Sequence, residues 1–539
     1  MKLNKKIFLI FLVLLLLMSA SFYIPFPGSR LAPESVISLK IVDRNGDLLR
    51  EVLSFEGGRC RWVTLDDISP ALIKATVAAE DKNFFHHFGM NPLALIRAVV
   101  QNISKMRIVS GASTITQQLV RNIYHHRRNI ITKLFENWLA IRLEKTHSKE
   151  EILLQYLNRI FYGNLAIGIE AASRLYFDKN AKDLSMAESA FLAGLPRSPS
   201  LLNPFKSLDR LRIRQKEILK RTHELGLITK DELNRALAEP VRISSIQDKF
   251  KAPHFCDYVL DRLPEELKRS ANMIHTTLDL NLQEKIENLA ENHINSLHKR
   301  NISNVAVIIL DNSNAEILAF LGSKDFFDQR IDGQFNGAVA LRQPGSTLKP
   351  YTYGLALETG MSAATILEDD EIQFQTPTGS YTPRNYDKKY HGSIRLRQAL
   401  ACSYNIPAVS LLETIGTERL YRKLQESGFV SLVEGPSHYG IGLTLGNGEV
   451  TLLELVQGYS MFSRDGILLD VKSLQTILDS RGQILNVEKD RKPQRVFTSQ
   501  TAYILTHILS DQDARIPAFG YNSPLSLPFP CAVKTGTSK

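Results

Sequence analysis

In the stretch 77-VAAEDKNFFHHFG-89 two carboxylates, Glu80 and Asp81, stand directly ahead of Phe84, Phe85, His86, His87 and Phe88. Aromatic burial and a like charge alongside each raise a carboxylate pKa. A carboxyl group so placed can take and return protons near neutral pH. The next unusual stretch, 111-GASTITQQLVR-121, is rich in hydroxyls and amides, opens on Gly111 and ends on the cation Arg121. Such a loop can hydrogen-bond a sugar or a phosphate. A third stretch, 127-RRNIITKLFENWLAIRLEK-145, has helical periodicity. Ile130, Leu134, Trp138 and Ile141 are expected to form one apolar stripe, with Leu139 and Leu143 making a second. Glu136 then falls on a face with little water, where a charge needs a reason. Arg128 and Lys133, one to two turns before it, are placed for a pyrophosphate. Singly these features are weak, since an acid beside aromatics is more often structural and a polar loop can simply cap a helix. Together, two acids with a polar loop between them point to a carbohydrate site. The same pair could in principle hydrolyse glycans.

A second set lies farther on. In 342-RQPGSTLKPYTYG-354, Ser346 and Lys349 share one helix face at i, i+3. A lysine whose pKa is lowered by burial can act as base toward a serine hydroxyl. Pro344 and Gly345 set the turn, and Ser346 at the helix start gains from the dipole. Pro350 is tolerable because first-turn amides lack intrahelical partners. A lone Ser-x-x-Lys is common on surface helices, so its weight comes from two further elements in order. These are Ser403-Tyr404-Asn405 and, later, Lys534-Thr535-Gly536-Thr537.

The segments EDKNFFHHFG (80–89), GASTITQQ (111–118), KLFE (133–136), KEEILLQYLNRIFYGN (149–164) and AESAFLAGLPRSP (187–199) resemble, in order, the five motifs of family 51 peptidoglycan glycosyltransferases. That resemblance covers roughly residues 65–205. It implies a mainly α, lysozyme-like domain that polymerises lipid II onto a growing glycan strand at the outer face of a membrane. Glu80 would be the general base toward the acceptor sugar hydroxyl. Glu136 would assist at the pyrophosphate leaving group, with a divalent cation (magnesium or manganese) as a non-obligatory aid. Arg121, Arg128 and Lys133 would neutralise the diphosphate, while Asp81, Ser113, Thr114, Gln117 and Gln118 would line the site. One departure stands in the third motif, which usually begins Arg-Lys and here begins Thr132-Lys133, one cation fewer.

The Ser346/Lys349, Ser403/Asn405 and Lys534–Thr537 triple resembles that of penicillin-binding proteins and serine β-lactamases, over about residues 304–539. It implies that Ser346 attacks the carbonyl of a stem peptide ending in D-Ala-D-Ala, with Lys349 as base. Ser403 and Asn405 would relay protons and orient substrate, and Lys534 and Thr535 would grip the terminal carboxylate. The amides of Ser346 and Thr537, next to Gly536, would form the oxyanion hole. β-Lactams would acylate the same serine. Taken whole, the chain resembles class A, bifunctional penicillin-binding proteins. The stretch 381-YTPRNYDKKYHGSIRLRQALACSYNIPAVSLLETIG-416 looks closest to their 1C type.

These side chains need elements to hold them. The chain has 539 residues, 44% apolar and 23% charged, which suits a multidomain globular protein. Its net charge of +10 fits an anionic partner. No RNA-binding aromatic signature, finger spacing or basic zipper is present, which disfavours nucleic acid. Cys60, Cys256, Cys402 and Cys531 show neither zinc spacing nor a disulfide framework. Lys2, Lys5 and Lys6 precede the uncharged run 7-IFLIFLVLLLLMSASFYI-24, at the short end of the ~17–25 residues that span a bilayer. Pro25 and Pro27 then stop the helix. The expectation is an uncleaved single-pass anchor in a bacterial inner membrane, with the lysines cytoplasmic and the remainder outside.

The expected units are a tail and transmembrane helix at 1–24, a hairpin and linker at 25–64, a glycosyltransferase domain at 65–206, a helical linker at 207–302 and an α/β transpeptidase domain at 303–539. The hairpin is 36–52, turning at Asn45-Gly46. Ser148–Glu151 reads as a capping box. Strands are expected at 304–311, 317–322 and 529–539, and helical segments around 346–359, 394–401 and 405–425. The chain stops at Lys539, immediately inside the third acyl-transfer motif, so the transpeptidase domain reads as incomplete, its motif strand lacks an outer neighbour and penicillin labelling is expected to be weak. Other readings are a carboxypeptidase or β-lactamase-like serine hydrolase, and a non-catalytic scaffold that binds cell-wall synthesis proteins.

Overall fold

The computed structural model describes residues 21, 24–31, 38–53, 58–90, 113–124, 130–199, 201–244, 250–376, 379–485 and 492–537. The apolar run 7–24, apart from Ser21 and Ile24, lies outside these residues, as do Gly111 and Arg128. No helix among the described residues is long and apolar enough to cross a membrane.

Helices α1 (Pro70–Glu80), α2 (Ile115–Tyr124), α3 (Ile130–Thr146), α4 (Lys149–Arg159), α5 (Ile169–Phe177), α6 (Met186–Ala193) and α7 (Pro204–Glu224) contribute to one apolar core. α1 is short, with small residues Ala75, Ala78 and Ala79 buried, which lets it pack closely on α6 and α7. α4 starts on the expected capping box, in which Glu151 N–H donates to Ser148 Oγ at 3.1 Å and Ser148 N–H donates to Glu151 Oε2 at 2.7 Å.

Two expectations change here. The segment from 207 is not a connector. α7 buries Leu211, Gln215, Ile218, Leu219 and Thr222 on one face against α1 and α6, with its charges turned to solvent. Its apolar stripe is thin and interrupted by Gln215, whose amide donates to Ala187 O at 2.8 Å. Leu211→Ala is therefore expected to cost about 2–5 kcal/mol, as for a buried leucine. Denaturant unfolding checks this, since a solvated connector would lose under ~0.5 kcal/mol. In α3 the second expected stripe, Leu139 and Leu143, holds, and the first fails at Leu134. Leu139 and Leu143 form the core face, while Leu134 and Phe135 are exposed. Trp138 instead donates from Nε1 to Ser21 Oγ at 2.9 Å, and Arg142 grips Ile24 O and Pro25 O, both at 2.7 Å.

In chain order the strands are β1 (Leu39–Val42), β2 (Leu48–Val52), β3 (Ala271–Thr276), β4 (Val307–Leu310), β5 (Ile317–Leu321), β6 (Ile366–Asp369), β7 (Gly392–Arg395), β8 (Leu474–Asp479) and β9 (Ile484–Leu485), with shorter bridged pairs besides. β1 and β2 form the expected hairpin, which does not stand alone. It belongs to a five-stranded sheet in the order β9-β8-β3-β1-β2. β1 runs parallel to β3, and β8 runs antiparallel to it. The buried carboxylate of Asp43 fixes the turn, accepting Asn45 N–H at 2.7 Å, Asp47 N–H at 2.9 Å and the N–H of Leu280 at 3.2 Å. Leu280 begins the helix that runs to Ser296. The sheet and the helices Pro253–Arg262 and Leu280–Ser296 share a second core with Ile317 and Phe320 of β5.

The third core surrounds α8 (Lys349–Glu358), α9 (Leu396–Ala401), α10 (Asn405–Ile415), α11 (Thr417–Glu426) and α12 (Ser499–Ser510). β4 and β5 pair antiparallel as expected. The helical run from 405 is broken at Gly416, whose φ of +92° ends α10. The expected strand at 529–539 does not form among the described residues. A strand requires a ladder, and here Val533 N–H meets Leu509 O, near the end of α12, at 2.9 Å. None of the four cysteines forms a disulfide.

Candidate active sites

The first site is built around α2. Asp81 leaves α1 with its carboxylate turned inward, accepting Ile115 N–H at 3.1 Å and bonding His87 Nε2 at 2.8 Å. It anchors the start of α2 from inside the fold, a different task from the sugar contact expected of it. Thr114 is also buried, donating to Gly89 O at 2.7 Å and accepting Gln117 N–H at 3.2 Å as a helix cap. Gly89, at φ +83°, brings this turn against α3, since a Cβ there would stand 2.6 Å from Ala140 O.

α2 then presents two side chains to the two acids, Gln118 to Glu80 and Arg121 to Glu136. Gln118 Nε2 donates to Glu80 Oε2 at 2.9 Å, and Gln118 Oε1 accepts the Tyr156 hydroxyl at 3.4 Å. Burial, then the charge of Glu80, holds the Tyr156 phenol well above its ordinary pKa, so it stays a neutral donor. Glu80 is half-buried, while Phe85 and Phe88 of the aromatic run are exposed. Glu136 is buried, at 4% exposure, and faces Lys133 Nζ at 3.0 Å and Arg121 Nε at 3.2 Å. Lys133 Nζ also reaches Ser113 Oγ at 3.0 Å and Gln117 Oε1 at 3.1 Å. The structure thus brings Ser113, Gln117, Arg121, Lys133 and Glu136 together, with Gln118 and Glu80 on the same helix system. Both oxygens of Glu136 face cations of the chain, which leaves it poorly suited to a magnesium or manganese ion. Behind this layer, Lys149 Nζ pairs with Glu144 at 2.6 Å, and Thr116 Oγ1 donates to Glu144 at 2.5 Å. Sequence reasoning passed over Tyr156, Glu144 and Lys149. Tyr156 lay within a quoted motif, and its core-facing position in α4 was the available signal.

The second site meets at Lys349. Its side chain is fully buried, and Nζ donates to Ser403 O at 2.5 Å, Tyr404 O at 2.9 Å and Asn405 Oδ1 at 2.7 Å, with Ser403 Oγ at 3.5 Å. Ser403 sits at φ +61°, which turns its carbonyl and hydroxyl to the same lysine. Lys534 Nζ donates to Ser403 Oγ at 2.7 Å from the other side. Burial, then the positive charge of Lys534, pushes the Lys349 amine well below the usual lysine range. Burial also pushes Lys534 down to about 7. Ser346 lies in the turn one helical step before Lys349.

Glycines close this site. A Cβ on Gly345, at φ +61°, would lie 2.4 Å from Thr537 O, and one on Gly536 would lie 2.4 Å from Pro344 O. The third motif therefore packs directly on the turn that holds Ser346, bringing Thr535, Gly536 and Thr537 to the nucleophile. Gly345→Ala is expected to destabilise by about 1–3 kcal/mol through left-handed strain and overlap. Thermal unfolding together with penicillin labelling checks this, and labelling should fall with the displaced turn.

The transglycosylase family model matches residues 45–223, and that of the penicillin binding protein transpeptidase domain matches residues 305–539. The chain is 33% identical over 478 residues to penicillin-binding protein 1C of Escherichia coli, covering 88% of this chain and 58% of that protein. It is 33% identical to penicillin-binding protein 2D of Bacillus subtilis, covering 84% of this chain and 66% of the relative. It is 32% identical to penicillin-binding protein 1A of Aquifex aeolicus, covering 79% and 69%. The chain thus spans 58–69% of the length of these relatives. The crystal structure of penicillin-binding protein 1A from Haemophilus influenzae shares the fold, with a TM-score of 0.60 at 22% identity over 88% of this chain and 79% of that one. A transglycosylase match over the α2 cluster, a transpeptidase match over the Lys349 cluster and this identity to proteins carrying both establish that the chain belongs to the class A penicillin-binding proteins.

Proposed function

We infer that the first site polymerises glycan strands from lipid II and that the second crosslinks their stem peptides. The observation that carries the first half is the single helix α2, which offers Gln118 to Glu80 and Arg121 to Glu136. The base and the cation cluster are thereby held in one frame. Glu80 takes the proton of the acceptor hydroxyl as its oxygen attacks the donor's anomeric carbon. Arg121 and Lys133 receive the departing diphosphate, a preference that simple glycan hydrolysis would not require.

In the second site Ser346 Oγ attacks the penultimate D-Ala carbonyl, and its proton passes to Lys349 Nζ. The backbone amides of Ser346 and Thr537 hold the oxyanion, and Lys534 and Thr535 hold the terminal carboxylate. Ser403 returns the proton to the leaving D-Ala amine, and an amine of a second stem peptide then takes the acyl group. β-Lactams enter as mimics of the same peptide.

The membrane is the proposed setting. Ser21 and Ile24 at the end of the apolar run 7–24, with Pro25 just after it, dock on α3, the helix that carries Glu136, and the same helix exposes Leu134 and Phe135. A single-pass anchor would hold the first site at the outer face of a bacterial inner membrane, where the prenyl tail of lipid II resides. The test supplies the full chain with lipid II and a fluorescent penicillin. The expected results are glycan polymer on a gel and, in place of the weak labelling that the sequence suggested, a covalent adduct mapped by mass spectrometry to the Ser346 peptide, since the third motif packs on the Ser346 turn and Lys349 and Lys534 meet at Ser403. Unconsumed lipid II overturns the first half of the reading, and a chain without adduct, or with adduct elsewhere, overturns the second.

A further inference from the structure

Asp369 ends β6 with 0% exposure, and among the described residues no lysine or arginine forms a salt bridge with it. A buried carboxylate in that position needs a reason. Its oxygens accept Asn385 Nδ2 at 2.9 and 2.8 Å, His391 N–H at 3.1 Å and bond His391 Nδ1 at 2.5 Å. Asn385 Oδ1 accepts Asn405 N–H at 2.8 Å, and Asn405 Oδ1 accepts Lys349 Nζ at 2.7 Å. A continuous chain thus runs from carboxylate through two amides to the catalytic lysine. The charge orients it, because a carboxylate accepts only from the NH₂ end of Asn385 and so aims Oδ1 at Asn405.

We propose that Asp369, which lies in none of the three acyl-transfer motifs, is a positioning residue of that site, holding Asn405 through Asn385 and lending the Lys349 pocket its buried negative charge. This deepens the transpeptidase reading and rests on it. The groups around Lys349 act in opposite directions. Lys534, from the third motif, disfavours a proton on Lys349, and Asp369 favours one. Around Asp369 itself stand His391, Asp387 on the far side of the His391 ring at 3.1 Å, and the buried phenols of Tyr353 and Tyr404. The His391 ring stacks on Tyr404 at 4.0 Å, which ties the loop 385–391 to the Ser403–Asn405 turn a second time.

A merely structural Asp369 and a charge-setting one differ in their pH behaviour. Acylation requires neutral Lys349, so its rate rises with pH as that amine loses its proton. In Asp369→Asn the carboxylate charge is gone, the lysine loses its proton more easily, and the acid limb is expected to move down by about one pH unit. Asn385→Ala keeps the charge and cuts the link to Asn405. It is expected to lower acylation about tenfold at every pH, with the limb unmoved.

The experiment measures fluorescent-penicillin acylation of the full chain across pH for the parent and both variants, with lipid II polymerisation and thermal unfolding as checks on folding. A limb in Asp369→Asn that coincides with the parent's overturns the charge assignment. Parent-like acylation by Asn385→Ala overturns the positioning link, and this variant decides the question should Asp369→Asn fail to fold. A parent that polymerises but is never acylated overturns the transpeptidase reading itself, and this inference with it.

Discussion

Replacing Glu80 with Gln is expected to slow glycan polymerisation by about 10²–10⁴-fold, the usual worth of a general base, while penicillin acylation at Ser346 stays at the parent rate. Gln keeps the shape of Glu80 and an oxygen that can still accept from Gln118 Nε2, now at 2.9 Å from the carboxylate. What it loses is the ability to take a proton from an attacking hydroxyl. The variant should therefore bind lipid II and leave it unconsumed, which separates chemistry from binding in a polymerisation assay with a parallel binding measurement. Polymer at the parent rate would remove Glu80 from the reaction. Asp81→Asn makes a useful contrast. Asp81 holds Ile115 N–H and His87, so its loss should appear first as a lowered unfolding temperature.

Lys349→Met is expected to reduce acylation by a similar factor, about 10²–10⁴-fold, with polymerisation unaffected. Met fills the sheath of the buried side chain without a donor or a base. In the parent, burial and Lys534 hold the Lys349 amine well below the ordinary lysine range. Its neutral form is then present far nearer neutrality than in an exposed lysine. The sign follows from the chemistry: the ammonium cannot receive the Ser346 proton, so the rate climbs as pH rises through the depressed pKa. Lys534, pushed down to about 7 by burial, faces the same Ser403 hydroxyl, and its charge disfavours a proton on Lys349. A stopped-flow pH profile checks this, and a rate still climbing only above pH ~10, the range of an unperturbed lysine, would contradict it.

Part of the chemistry was legible in the sequence because its residues are local: Ser346 and Lys349 are three residues apart. Gln117, Gln118 and Arg121 were read as part of a polar loop, whereas they lie on the short helix α2. The Ser148 capping box and the turn at Asn45-Gly46 were readable for the same reason, being settled by neighbours in the chain. What spacing could not give was partnership across the fold. Of the two α3 stripes, the one through Leu134 was misplaced because Leu134 and Leu139 are equally apolar, and only contacts across the fold decide which of them the core receives. α7 read as a connector because charge dominates its composition while a few residues carry its burial. The segment 529–537 has strand-like composition, yet it packs on a glycine turn and on the end of α12, contacts that no local pattern encodes. Asp369, Asn385 and His391 were invisible for the same reason. Their meaning comes from Asn405, on another element.

The five-stranded sheet takes β1 and β2 from near the start of the chain, β3 from its middle and β8 from beyond both catalytic motifs of α8 and α10. During synthesis the ribosome delivers these pieces far apart in time. The early hairpin waits with one edge open until β3 arrives, and β3 waits in turn for β8. Closing such separated segments is slow, and open edges invite pairing with neighbouring chains. A nascent chain stalled before Leu474 would carry a finished polymerase core beside an unfinished seam. Chaperones that hold unfolded segments should therefore matter more to this protein's yield than to that of either unit made alone.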